Sequence, residues 1–209
     1  GFFTFFYDAA NDKIYLQIDS LNQEFLYINW LAAGVGSNDI GLDRGQLGGQ
    51  RVVKFTRSGN KIFLLQPNLQ YRAVTTNAAE KASVAEAFAQ SIIWGFTISS
   101  ESSDGILVDA TDFLLHDAHR VSQTLQNTGQ GNYNLDFGRS GLYLPQTKAF
   151  PKNVEFEATL TFTGHAQNMQ IYSVTPTAEA VTVRQHHSFV ALPDTNYKPR
   201  IFDSRAGFA

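Results

Sequence analysis

The sequence contains no cysteine, which excludes a disulfide framework and any thiolate zinc site and leaves the redox compartment open. It also lacks a basic stripe: 16 Lys and Arg stand against 19 Asp and Glu, for a net charge of −3. Nucleic-acid binding needs clustered cations that release counterions from phosphates, so no nucleic-acid partner is expected. No run approaches the roughly 20 apolar residues that a membrane-crossing helix needs, and no low-complexity linker divides the chain. The opening GFFTFFYDAANDK has no basic segment and reaches Asp8 early. It reads as a strand rather than a signal peptide, and an exported form would carry its leader upstream.

What is present points to a β-rich interior. Hydrophobic residues make up 43% and charged ones 17%, which excludes a disordered chain, and 17 Phe and 8 Tyr favour strands. At 209 residues one core buries most of the apolar surface, so a single domain over 1–209 is expected. Residues 2–7 and 13–18 flank DAAND as a hairpin, and 51–56 and 61–66 flank RSGN in the same way. Between them AAGVGSNDIGLDRGQLGGQR is too glycine-rich for an element interior and reads as a shaped loop. Asn77, with Glu80 three residues on, caps a helix whose apolar positions are Val84, Phe88 and Ser91/Ile92.

GFTISS and GILVDA form a further β pair around ESSDG, and a second helix is expected from about Asp112 to Gln126. YNLDFG, SGLYLP, IYSVTP and AVTVRQHHSFVAL read as β segments, and the tail from Pro193 as extended. In NVEFEATLTFTG, Val154, Phe156, Ala158, Leu160 and Phe162 alternate with Glu155, Glu157, Thr159, Thr161 and Thr163, a strand with one wet face. The fold class is α+β, mainly β: antiparallel twisted sheets, sandwich-like or saddle-like, with about two helices.

The candidate chemistry is sparse. Neighbours on a strand point to opposite faces, so His186 and His187 are not expected to share a metal. His187 falls with Val181, Val183 and Phe189 as a neutral, hydrogen-bonded core histidine, while His186 shares the other face with Arg184. On that face it either meets a carboxylate or a neighbouring domain, or is simply solvated. Asp112, His116 and His119 fall within one arc of the second helix, but with the apolar stripe opposite they are expected to face water without a dry outer shell. The spacing is not that of a zincin helix, no G-x-S-x-G elbow is present, and the glycine loop fits neither nucleotide fingerprint. The glycines are expected to serve turn geometry, with Asp43 and Arg44 pairing locally; the rival reading is a binding loop. Glu155 and Glu157 read as solubilising rather than as acid/base partners. No catalytic, cofactor or metal residues are assigned.

Taken together, GSNDIGLDRGQLGGQRVVKF, SGNKIFLLQPNLQYRA, FAQSIIWGF, VDATDFLLHDA, YLPQTKAFPKNVEFEATLTFTG and VTVRQHHSFVALPD resemble the N-terminal domain of unknown function of bacterial zinc-dependent, metzincin-like metalloproteases. The resemblance covers nearly the whole chain. It implies an exported, periplasmic or extracellular protein and a downstream peptidase domain of the same polypeptide as partner. That domain would hold the zinc and the H-E-x-x-H helix, neither of which belongs to this chain. The expected role is a non-catalytic accessory domain that packs on the peptidase and shapes or shields its substrate cleft, with Asp43, Arg44, Gln46, Arg184 and His186 as interaction candidates. Two alternatives stand beside it. One is a secreted glycan- or peptide-binding module using Trp30, Trp94 or Tyr143 as platforms, and the other a metal-dependent hydrolase using Asp112, His116 and His119, or the pair His186 and His187 after a bulge.

Overall fold

β1 (Thr4–Asp8) is partly to fully exposed along its length, while alternation of buried and less buried residues runs through β2 (Lys13–Ile18) and β3 (Glu24–Ala33), each with one face turned inward. The computed structural model describes residues 1–194, 196–198, 202–203, 205 and 207–208. The hairpin expected around DAAND forms between β1 and β2, with Asp12 at φ 51 in its turn. β4 (Leu47–Ser58) and β5 (Lys61–Gln66) pair across RSGN with Gly59 at φ 57. α1 (Ala78–Ala87) starts where Asn77 predicts: its Oδ1 accepts the Ala79 N–H at 2.9 Å. The expected apolar stripe does not seat α1 on the core, since no residue of α1 is buried and Ser91 already belongs to the next strand.

β6 (Ser91–Ser102) and β7 (Gly105–Asp109) give the predicted pair around ESSDG. The helix expected over Asp112 to Gln126 is instead two short ones, α2 (Thr111–Leu115) and α3 (Val121–Asn127). Arg120, at φ 60, turns the chain between them, and Asp117 accepts the Val121 and Ser122 N–H groups at 2.7 and 3.0 Å, starting α3 afresh. β8 (Gly131–Leu135), β9 (Gly141–Leu142) and β10 (Lys148–Ala149) then line β11 (Asn153–Ala166). The IYSVTP segment, expected as β, supplies most of α4 (Met169–Val174), because Asn168 accepts the Gln170 N–H at 3.1 Å and caps a helical turn. β12 (Ala180–Ala191) follows, and β13 (Phe202–Asp203) pairs with β14 (Gly207–Phe208). The rest of the tail expected to be extended lies largely outside the described residues.

The fold is mainly β and antiparallel, as expected, but twelve strands share one open sheet with the path β1-β2-β7-β6-β5-β4-β3-β12-β11-β10. The sheet curls until its ends approach: the Phe2 N–H donates to the Phe150 carbonyl at 2.7 Å, and Phe5 packs on Phe156 with ring centres 5.2 Å apart. Two apolar clusters fill it. One gathers Phe25, Tyr27, Phe55, Phe96, Phe113, Phe156 and Phe189; the other gathers Leu31, Leu42, Val121, Leu125, Leu160, Phe162 and Val183. The glycine-rich loop joins the second cluster through Ile40 and Leu42 and takes its shape from Gly41 and Gly45 at φ 75 and 85.

Candidate functional site

The central strands β3, β12 and β11 carry chemistry on both faces. On the inner face Asn29, Gln185 and His187, all fully buried, form a polar belt between the two apolar clusters. His187 Nδ1 shares a 2.9 Å hydrogen bond with the Tyr27 hydroxyl, and Nε2 lies 3.1 Å from the Leu114 carbonyl. It is thus the satisfied core histidine that its strand parity predicts. Gln185 donates from Nε2 to the His116 carbonyl and accepts the His119 N–H at Oε1, both at 2.9 Å. The belt therefore satisfies the backbone that links α2 to α3, where neither helix can.

The same link overturns the expectation that His116 and His119 face water. His116 bonds the Phe113 carbonyl and lies against the Trp94 ring, with centres 4.8 Å apart. His119 is half-buried, and Asp112 is exposed. Among the described residues, no group of three or more His, Asp or Glu side chains is placed to hold a metal ion.

Burial holds His187 well below the ordinary 6.5, and it lowers His116 and His119 as well. A group depressed in this way stays neutral in the fold but charges in the unfolded chain. Its stabilisation is complete above 6.5 and is lost as pH falls below that value. Each such proton costs about 1.4 kcal/mol per pH unit. Between about pH 7 and pH 5, His187 should remove up to about 2 kcal/mol of unfolding free energy. Urea unfolding of His187→Gln at both pH values should show a correspondingly flatter dependence; an unchanged dependence clears His187 of this role.

On the outer face His186 sits between two carboxylates. Its Nε2 is 2.6 Å from Glu155 Oε2 and its Nδ1 is 2.9 Å from Glu157 Oε1. An ionised carboxylate only accepts, so bonds at both ring nitrogens need a ring that carries both protons or a protonated carboxyl. Arg184 Nε approaches Glu157 Oε2 at 2.9 Å, though these two buried atoms are off hydrogen-bond alignment and pair by charge. Burial pushes Glu155 up, but hydrogen bonds from His186, Asn153 and Ser188 outweigh it and hold the carboxyl below its usual range. Trp30 stacks on the His186 ring with centres 4.0 Å apart, and the Arg184 guanidinium lies 4.3 Å from the Tyr143 ring centre.

These groups border a groove of about 420 Å³ whose lining includes Trp30, Arg44, Gln146, Glu157, Arg184 and His186. Three of the five interaction candidates, Arg44, Arg184 and His186, are thus brought together. Asp43 and Gln46 do not join them: the Gln46 N–H donates to the Asp43 carbonyl at 3.1 Å, inside the loop. No ion pair between Asp43 and Arg44 is found among the described residues. Glu155 and Glu157, expected on a wet face, are covered instead. The Tyr143 N–H bonds the Glu157 carbonyl at 2.8 Å, Thr147 Oγ1 lies 3.4 Å from the Glu157 N–H, and β9 and β10 fold back along β11. The sequence signal for this cluster was the facing parity of Glu155, Glu157, Arg184 and His186; nothing local tied Trp30 or Tyr143 to it.

The molecule is thus a curled antiparallel-sheet domain with a charge-paired groove on its outer face. Residues 45–209 match the family described as Domain of unknown function (DUF5117), and the chain belongs to that family. No curated protein and no solved structure matches it.

Proposed function

We propose that this chain is a non-catalytic accessory domain of an exported bacterial zinc-dependent metallopeptidase, and that the Arg44–Arg184–His186 groove is the face it presents to the peptidase domain or to that domain's peptide substrate. The observation that carries this reading is how the groove distributes its charge. Glu155 and Glu157 are engaged with His186, Arg184, Ser188 and Asn153, so both are committed to contacts within the domain. The exposed charged group in the groove is a cation, Arg44, which has no side-chain partner among the described residues and shares the lining with Trp30. Such an arrangement suits recognition, where an aromatic plane and a guanidinium give contact area and direction.

Arg44 is also the cleanest residue to test, because Arg184 and His186 are held in ion pairs and their loss would disturb folding. Arg44→Ala in the full-length polypeptide should reduce peptide turnover about fivefold or more while shifting the unfolding free energy of the domain by less than about 0.5 kcal/mol. Turnover equal to that of the parent would remove the groove from the account. A secreted peptide- or glycan-binding module is the second reading, favoured by Trp30 lining the same groove. One face of Trp30 already rests on His186, which leaves a sugar only the other.

A further inference from the structure

We infer that the groove recognises a carboxylate side chain, an Asp or Glu on an acidic peptide segment of the partner; this rests on the accessory-domain reading and specifies what the groove grips. The cluster is over-supplied with cations. Glu155 and Glu157 contact His186 and Arg184, and Arg44 lines the groove that Glu157 borders. With a ring that carries both protons, or with one carboxyl protonated, the cluster holds one more positive charge than negative. Glu157 and His186 are nearly fully buried, at 5% and 7% exposure, so their pairing is fixed before any ligand arrives.

Arg184 is held through its Nε edge by charge against Glu157 and sits over the Tyr143 ring, while its terminal nitrogens have no hydrogen-bond partner among the described residues. A guanidinium anchored through one edge and one face is preorganised to offer its remaining donors as a fork, which matches a carboxylate. Arg44 lies in the lining of the same groove without a side-chain partner among the described residues and supplies the uncompensated charge. The Gln146 amide, also in the lining and exposed, can donate to the same group. Arg184 and His186 offset the like-charge repulsion from Glu157, which lines the same groove.

The test is nuclear magnetic resonance on the nitrogen-labelled chain titrated with acetyl-Gly-Glu-Gly-amide and, in parallel, acetyl-Gly-Gln-Gly-amide. The two indole N–H signals give an internal control, because Trp30 lines the groove and Trp94 packs on Phe113. The Glu peptide should move the Trp30 signal with roughly millimolar affinity, roughly tenfold tighter than the Gln peptide. The Trp94 signal should stay in place, and Arg44→Ala should abolish the response. Equal response to both peptides, a response that survives Arg44→Ala, or no movement of the Trp30 signal overturns the inference. If the Glu peptide binds as described and Arg44→Ala leaves full-length turnover intact, the carboxylate site stands and the accessory-domain reading falls. Reduced turnover without a peptide response does the reverse.

Discussion

Phe113→Ala should lower the unfolding free energy by about 3–5 kcal/mol, the larger of the two strongest effects expected of a single substitution here. Phe113 is 1% exposed and its ring contacts those of Tyr27, Trp94, Phe96, His116, His187 and Phe189, with centres 5.2 to 5.9 Å apart. It is the residue through which α2 enters the large apolar cluster. A helix of five residues has no stability of its own, so its position depends on that ring, on Leu114 and on the belt that satisfies the following backbone. Truncation leaves a cavity among rigid rings that cannot collapse far, which places the cost in the upper part of the range for aromatic truncations. Phe113→Leu should cost about half as much, and truncation of Phe6, which is 50% exposed, about 1 kcal/mol or less. Urea unfolding followed by circular dichroism measures all three. A loss below about 1 kcal/mol for Phe113→Ala would mean that α2 is not seated as described.

The dependence of α2 on distant strands also explains what could be read along the chain and what could not. Hairpin turns at Asp12 and Gly59 and the cap at Asn77 are local events, decided by residues a few positions apart, and they stand where the pattern placed them. The inner parity of β12, with His187 beside Phe189 and Val183, is equally local, because side chains on a strand must alternate. The break between α2 and α3 is so only in part. Asp117 and Arg120 restart the helix locally, but the linking backbone also needs Gln185 to accept from His119 and donate to His116, a partner far along the sequence and silent in any helical periodicity. The IYSVTP segment departs from the expected strand for a related reason: its β-branched residues favour strands, but the Asn168 cap decides. Parity assigns Glu155, Glu157, Arg184 and His186 to one face and does not say whether that face is covered. The cover comes from the chain around Tyr143 and Thr147.

That cover turns an ordinary polar strand into a charge network with a measurable cost of disruption. Glu157→Gln keeps the shape but removes a charge that is 5% exposed and lies 2.9 Å from both His186 Nδ1 and Arg184 Nε. Breaking one side of a buried pair costs about 3–5 kcal/mol, because the remaining charge is stranded away from water. Arg184 is one-third exposed (32%) and can rehydrate, so the cost here is expected at or below the bottom of that range, about 2–3 kcal/mol. The exposed pair Arg57–Glu101, with side chains 40% and 50% exposed, gives the contrast: Glu101→Gln should change stability by less than about 1 kcal/mol. Salt separates the two further, since half-molar salt screens surface charges over a few ångströms and reaches buried ones poorly. The double variant Glu157→Gln with His186→Gln completes a cycle, and its coupling should reach about 1 kcal/mol or more, because each residue is the other's partner. A Glu157→Gln protein as stable as the parent, with no coupling to His186, would show that the carboxylate is solvated in solution and that the groove is not preassembled.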